Sequence, residues 1–99
     1  MQLVALTNGA VTGTGTLTMQ NTGNAKDSGK IGGLMITTDN TNQGTVKIQR
    51  TDASGKAILD IDTVTSMWIA GPFSTEGAAT VYYTVSGTGC EAVIYEWVD

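Results

Sequence analysis

The sequence contains no histidine, one cysteine (Cys90) and one proline (Pro72), and only 14% of its residues are charged. Each shortage removes a class of chemistry. Histidine is the residue that most often moves protons near neutral pH and ligates metals. Without it no Ser–His or Cys–His nucleophile pair can form. A single cysteine cannot close an intrachain disulfide and falls short of the ligand set of a structural zinc site. Cys90 therefore reads as a small buried hydrophobe in a strand, the alternative being one half of an interchain bridge. No apolar run approaches the ~20 residues needed to span a bilayer. The start, Met1-Gln2-Leu3-Val4-Ala5-Leu6, lacks the positive n-region and long apolar segment of a secretory signal, so synthesis in the cytoplasm is expected, without a membrane partner. Basic residues are scarce too: five Lys and Arg against nine Asp and Glu, a formal net charge of −4. An acidic chain repels phosphate backbones, and nucleic acid is not an expected partner.

What is present is Thr, Gly, Asn, Ser and small apolar residues. The chain has 99 residues, 40% of them hydrophobic, enough for one modest core and a single domain over residues 1–99. Short β-prone runs recur between Gly, Asn and Thr turns. Gln2 to Leu6 is followed by Asn8-Gly9, a turn pair because both residues tolerate positive φ. In Thr14 to Gln20, Leu17 and Met19 alternate with Thr16 and Thr18. Asn21 to Lys30 is a polar loop. Ile31 to Thr38 is a strand whose Gly32-Gly33 pair marks a bulge or a close backbone approach. Thr45 to Thr51 and Lys56 to Ile61 form a hairpin about Asp52-Ala53-Ser54-Gly55, with Gly55 expected at positive φ. On the returning strand Leu59 and Ile61 face one way, and Ile58, Asp60 and Asp62 the other. Val64 to Ala70 ends in a turn at Gly71-Pro72. Ala79 to Ser86 and Cys90 to Val98 read as a last hairpin about Ser86-Gly87-Thr88-Gly89. No stretch has capped helical periodicity. About eight short antiparallel strands at this spacing predict an all-β single-domain sandwich, of the jelly-roll or Ig-like kind.

Few residue groups have the composition of a reactive site. Gly13-Thr14-Gly15-Thr16 and Gly87-Thr88-Gly89 lack the lysine and the helix start of a phosphate loop and read as turns. Asp39-Asn40-Thr41-Asn42 offers clustered oxygens but not the further acids and flanking helices of an EF-hand, and reads as an Asx-rich turn. Asp60 and Asp62, two apart in a strand, share a solvent face rather than form the two-environment pair of a glycosidase. No catalytic, cofactor-binding or metal-ligating residue is therefore expected, and the chain is not expected to be an enzyme. The charge distribution is uneven. All five basic residues lie at or before Lys56, while six acids and no base follow it. That reads as solvated surface, or as a means of steering docking onto a basic partner or a second copy.

The six aromatics, Trp68, Phe73, Tyr82, Tyr83, Tyr95 and Trp97, all lie in the last third of the chain. Adjacent Tyr82 and Tyr83 point to opposite faces of a strand. Tyr95 and Trp97 share a face with Val93, while Ala92 and Ile94 occupy the other. A two-layer sandwich covers only one face of each sheet. These six residues are therefore the candidate interface, the alternatives being a purely central hairpin or a stacking platform for sugar rings.

Several stretches together resemble the small Gly/Thr-rich β-sandwich proteins carried on tailed-bacteriophage particles, as head decoration (cement) or tail-associated subunits. They are Met1-Gln2-Leu3-Val4-Ala5-Leu6-Thr7, Thr45-Val46-Lys47-Ile48-Gln49 with Asp52-Ala53-Ser54-Gly55, Trp68-Ile69-Ala70-Gly71-Pro72-Phe73, and Tyr82-Tyr83-Thr84-Val85-Ser86-Gly87-Thr88-Gly89 running into Glu91-Ala92-Val93-Ile94. The resemblance covers most of the chain and transfers no individual functional residue. It implies a non-enzymatic protein that is made in the host cytoplasm and assembles on the virion as an oligomer, without cofactors. Its partner would be the major capsid protein or another virion protein. The alternative is a carbohydrate- or receptor-binding module of a tail or fibre.

Overall fold

Wherever β-branched and aromatic residues alternate with small polar ones the chain is extended, since such side chains fit a pleated, half-buried surface. The computed structural model describes residues 2–20 and 30–98. Eight strands result: Gln2–Ala5 (β1), Gly13–Thr18 (β2), Lys30–Thr37 (β3), Gly44–Arg50 (β4), Ala57–Thr63 (β5), Met67–Ser74 (β6), Thr80–Ser86 (β7) and Glu91–Val98 (β8), with no helix among the described residues. The loop read at Asn21 to Lys30 lies, up to Gly29, outside the described residues.

Two four-stranded antiparallel sheets form, in the orders β1-β8-β3-β6 and β2-β7-β4-β5. First pairs with last, second with seventh, third with sixth and fourth with fifth. That is a long hairpin rolled onto itself, the jelly-roll arrangement, and it decides between the two sandwich types expected. The sheets face each other through Ile31, Leu34, Ile36, Ala92 and Ile94 on one side and Met19, Val46, Ile48, Val81 and Val85 on the other, all buried. Each large aliphatic side chain among them contributes about 1.5–3 kcal/mol by leaving water.

The β4·β5 hairpin forms where expected, with Val46 opposite Ile61 and Ile48 opposite Leu59. Two details differ. The register shifts between Ile48 and Gln49, so Ile58 is the extra residue of a bulge and packs against the core instead of sharing the face of Asp60. Gly55 is not at positive φ; Thr51, at φ 66°, takes the left-handed position of that turn. Gly55 is required for another reason: a Cβ there would fall onto the carbonyl oxygen of Arg50.

Three further expectations are corrected. β7 and β8 do not pair; they are central strands of different sheets. Gly87 (φ 105°) and Gly89 (φ 76°) turn the chain across the sandwich, with the Cys90 amide donating to the Gly87 carbonyl at 3.1 Å. Gly71-Pro72 does not end a strand, because β6 continues through it to Ser74. β6 is an edge strand, the place in a sheet where proline is tolerated. Gly13-Thr14-Gly15-Thr16 is strand, not turn. There the Tyr83 ring lies over Gly15, in the space a side chain would fill.

Candidate functional site

In β8, Ala92, Ile94 and Glu96 are buried and alternate with Val93, Tyr95 and Trp97, which must face away from the core. Strand pairing then fixes what stands beside them. Leu3 is opposite Trp97 and Ala5 opposite Tyr95. On the other flank Gly33 is opposite Tyr95 and Met35 opposite Val93. Beyond those, Ala70 is opposite Gly33 and Trp68 opposite Met35. The rows of Tyr95 and of Val93 contain no charged side chain. Glu91, opposite Thr37, closes the face at one end; at the other Lys30, opposite Ser74 and next to Ile31, which is opposite Glu96, comes beside Trp97.

The face is well ordered from below. A bulge between Ile31 and Gly33 shifts the register of β3 against both neighbours. The two glycines there leave room above the sheet, Gly32 for the Leu3 side chain and Gly33 for the Trp68 ring. Trp68 in turn meets Tyr95 edge-on, with ring centroids 5.6 Å apart and planes at 67°, an arrangement the aromatic quadrupoles favour. Leu3 is 39% exposed, Met35 39% and Trp68 45%. Four strands about 4.8 Å apart, carrying side chains over about 20 Å of strand, give a largely apolar face with a footprint of roughly 400 Å². On a monomer, an exposed apolar patch of that extent is commonly a binding surface.

Of the six aromatics singled out, Trp68, Tyr95 and Trp97 come together on this face. Phe73 and Tyr83 pack against the core from inside. Tyr82 lies on the outer face of the other sheet, opposite Thr16 and Gln49. Val93, read from the sequence as sharing the face of Tyr95 and Trp97, does so. Leu3 and Met35 belong to the face and were not singled out. Neither is aromatic, and only the pairing of distant strands brings them beside Trp97 and Trp68.

The opposite outer face is chemically different. Around Tyr82 stand Thr14, Thr16, Thr80, Thr84, Thr45, Lys47, Gln49, Asp60 and Asp62. The Thr45 hydroxyl donates to Asp62 at 2.7 Å, and the Gln49 amide donates to the carbonyls of Ala53 and Gly55.

Elsewhere the polar groups are engaged locally. Glu76 accepts from Lys56 Nζ at 3.1 Å and pairs with Arg50 at 3.4 Å. The hydrogen bond and charge of Lys56, followed by the charge of Arg50, hold the Glu76 carboxyl below the usual carboxylate range. Asp39 accepts the amides of Thr41 and Asn42 and the Asn42 carboxamide, as an Asx turn does. These bonds, that of the Asn42 amide foremost, lower its pKa. Cys90 is a buried free thiol, pushed up by desolvation. Among the described residues there is no pocket and no cluster of three potential metal ligands. Comparison of the chain with protein-family models, with curated proteins and with solved structures returned no match.

Proposed function

We propose that this protein is a structural virion protein of a tailed bacteriophage. In this reading it decorates the assembled head, docking through the outer face of the β1-β8-β3-β6 sheet onto the major capsid protein or a neighbouring virion subunit. The observation that supports the reading is the placement of Trp68, Tyr95, Trp97, Leu3, Met35 and Val93 on one sheet face, turned away from the core. The family resemblance of the sequence supplies the setting. The jelly roll is an architecture used by viral capsid and lectin domains alike, so it fits without deciding.

Such a protein works by repetition. Each docked copy makes one modest contact, and symmetry multiplies it over the particle. A subunit that bridges neighbouring capsomers binds only the assembled lattice and stabilises that state. A second reading is a carbohydrate- or receptor-binding module of a tail or fibre. The observation favouring it is Trp68, whose half-exposed ring, propped by Tyr95, offers a surface on which a sugar ring stacks.

Copy number separates the two. Quantitative mass spectrometry of purified particles should find hundreds of copies per particle for decoration and a handful for a tail tip. Trp68→Ala should reduce occupancy on heads. A protein absent from purified particles overturns both readings.

A further inference from the structure

We propose that Asn8-Gly9 is a site of spontaneous backbone chemistry, at which Asn8 deamidates in the folded protein. The sequence has five asparagines, and only Asn8 is followed by glycine, the one residue with no side chain to hinder attack by its own amide nitrogen. The structure leaves that nitrogen free to react. Leu6 donates its amide to the Ile94 carbonyl at 2.8 Å, and the Thr7 hydroxyl accepts the amide of Ile94 at 3.4 Å. The chain then leaves β8 and returns only at Val11, which exchanges backbone bonds with Ala92 at 2.8 and 3.0 Å. Asn8, Gly9 and Ala10 form the excursion between these anchors, and all three are exposed. No atom from outside residues 8–10 lies within 4 Å of where a Gly9 side chain would begin. No hydrogen bond among the described residues engages Asn8 or Gly9.

Asn40 and Asn42 stand in contrast. The amide that would attack Asn40, that of Thr41, is held by the Asp39 carboxylate at 2.9 Å. The Asn42 carboxamide is held by the same carboxylate at 2.8 Å.

The chemistry needs only water. The Gly9 backbone nitrogen attacks Cγ of Asn8, forming a carbon–nitrogen bond and giving up its proton. The bond from Cγ to the carboxamide nitrogen breaks, and ammonia leaves with that proton. The cyclic imide is then hydrolysed at either carbonyl, giving aspartate or isoaspartate at position 8. No electron is transferred, and one carboxylate replaces one neutral amide. Because the excursion departs from β8 between Ile94 and Ala92, it stands beside Val93, at the rim of the apolar face. The proposal does not depend on what that face binds.

The test is to age the full chain at mildly alkaline pH and follow acidic forms by ion exchange, then assign them by fragmentation that distinguishes isoaspartate from aspartate. Expected is a major acidic form with its mass change at residue 8, faster at higher pH, lost in Asn8→Gln, and forming within a few-fold of the rate in the urea-unfolded chain. Acidic forms that map to other residues would overturn the proposal. So would a folded chain that protects Asn8 tenfold or more relative to the unfolded one.

Discussion

Met35 and Ile36 are neighbours in β3 with opposite fates, and lysine at each position tests the assignment of the two faces. Ile36 is fully buried. Ile36→Lys loses about 2–3 kcal/mol of apolar burial and brings an ammonium among aliphatic side chains, a further cost of several kcal/mol whether the charge is kept or the group is driven neutral. The sum, on the order of 5 kcal/mol or more, consumes much or all of the roughly 5–15 kcal/mol that holds a domain folded. Met35 is 39% exposed on the outer face. In Met35→Lys the aliphatic stem lies where the methionine lay, beside Val93 and Trp68, while the ammonium reaches water. Its cost in folding should be about 1 kcal/mol or less. The same charge pressed into an apolar interface, unpaired, should cost about 3 kcal/mol or more in docking. Urea unfolding of both variants, with particle occupancy measured for Met35→Lys, reads the two quantities separately. Equal loss of stability at the two positions would refute the assignment of faces. A stable Met35→Lys that occupies particles as well as the parent would refute the docking face.

Gly55→Ala should destabilise by about 2 kcal/mol, since its Cβ can be placed only by moving the Arg50 carbonyl; an unchanged urea midpoint would show that the turn relaxes freely. Acid should weaken the link between the β4·β5 turn and the segment joining β6 to β7. The folded pKa of Glu76 is depressed below its ordinary 4.5, so its contribution is present above that value and is lost as pH falls through the depressed one. Glu76→Gln should therefore flatten the stability profile below pH 4.5, and an unaltered acid limb would assign that limb to other carboxylates, Asp39 first.

The features readable from sequence were local ones. The β4·β5 hairpin announces itself because both strands and their turn lie within one short segment, and alternation sets which side chains face in everywhere but at Ile58, where the bulge, which has no signal in the alternation, turns the side chain to the core. The Gly32-Gly33 bulge announces itself because a glycine pair inside a strand has few other uses. The pairing of β8 with β1 and β3 had no local signal. Two apolar strands separated by a glycine turn look like a hairpin, and whether they pair or part depends on where the turn points them. The same gap hid Leu3 and Met35 on the outer face. Trp68, Tyr95 and Trp97 were visible as aromatics, but Leu3 comes from the other end of the chain and joins them only through the ladder to Trp97. Phe73 and Tyr83 could not be told from them by residue type, since an aromatic serves core and surface equally well.

The rolled hairpin also governs the order of folding. Among the described residues only β4 and β5 are both consecutive and paired; every other pairing there must first close a larger loop of chain, an entropic cost that comes before any contact repays it. The β4·β5 turn is thus the natural starting point, with the outer strands added in succession. β8 occupies the middle of its sheet, between β1 and β3. During synthesis both of those strands wait with an open edge until β8, the last strand of the fold, has been made. The apolar face therefore does not exist until β8 has joined the sheet. It appears with that strand, in the same step that completes the core beneath it.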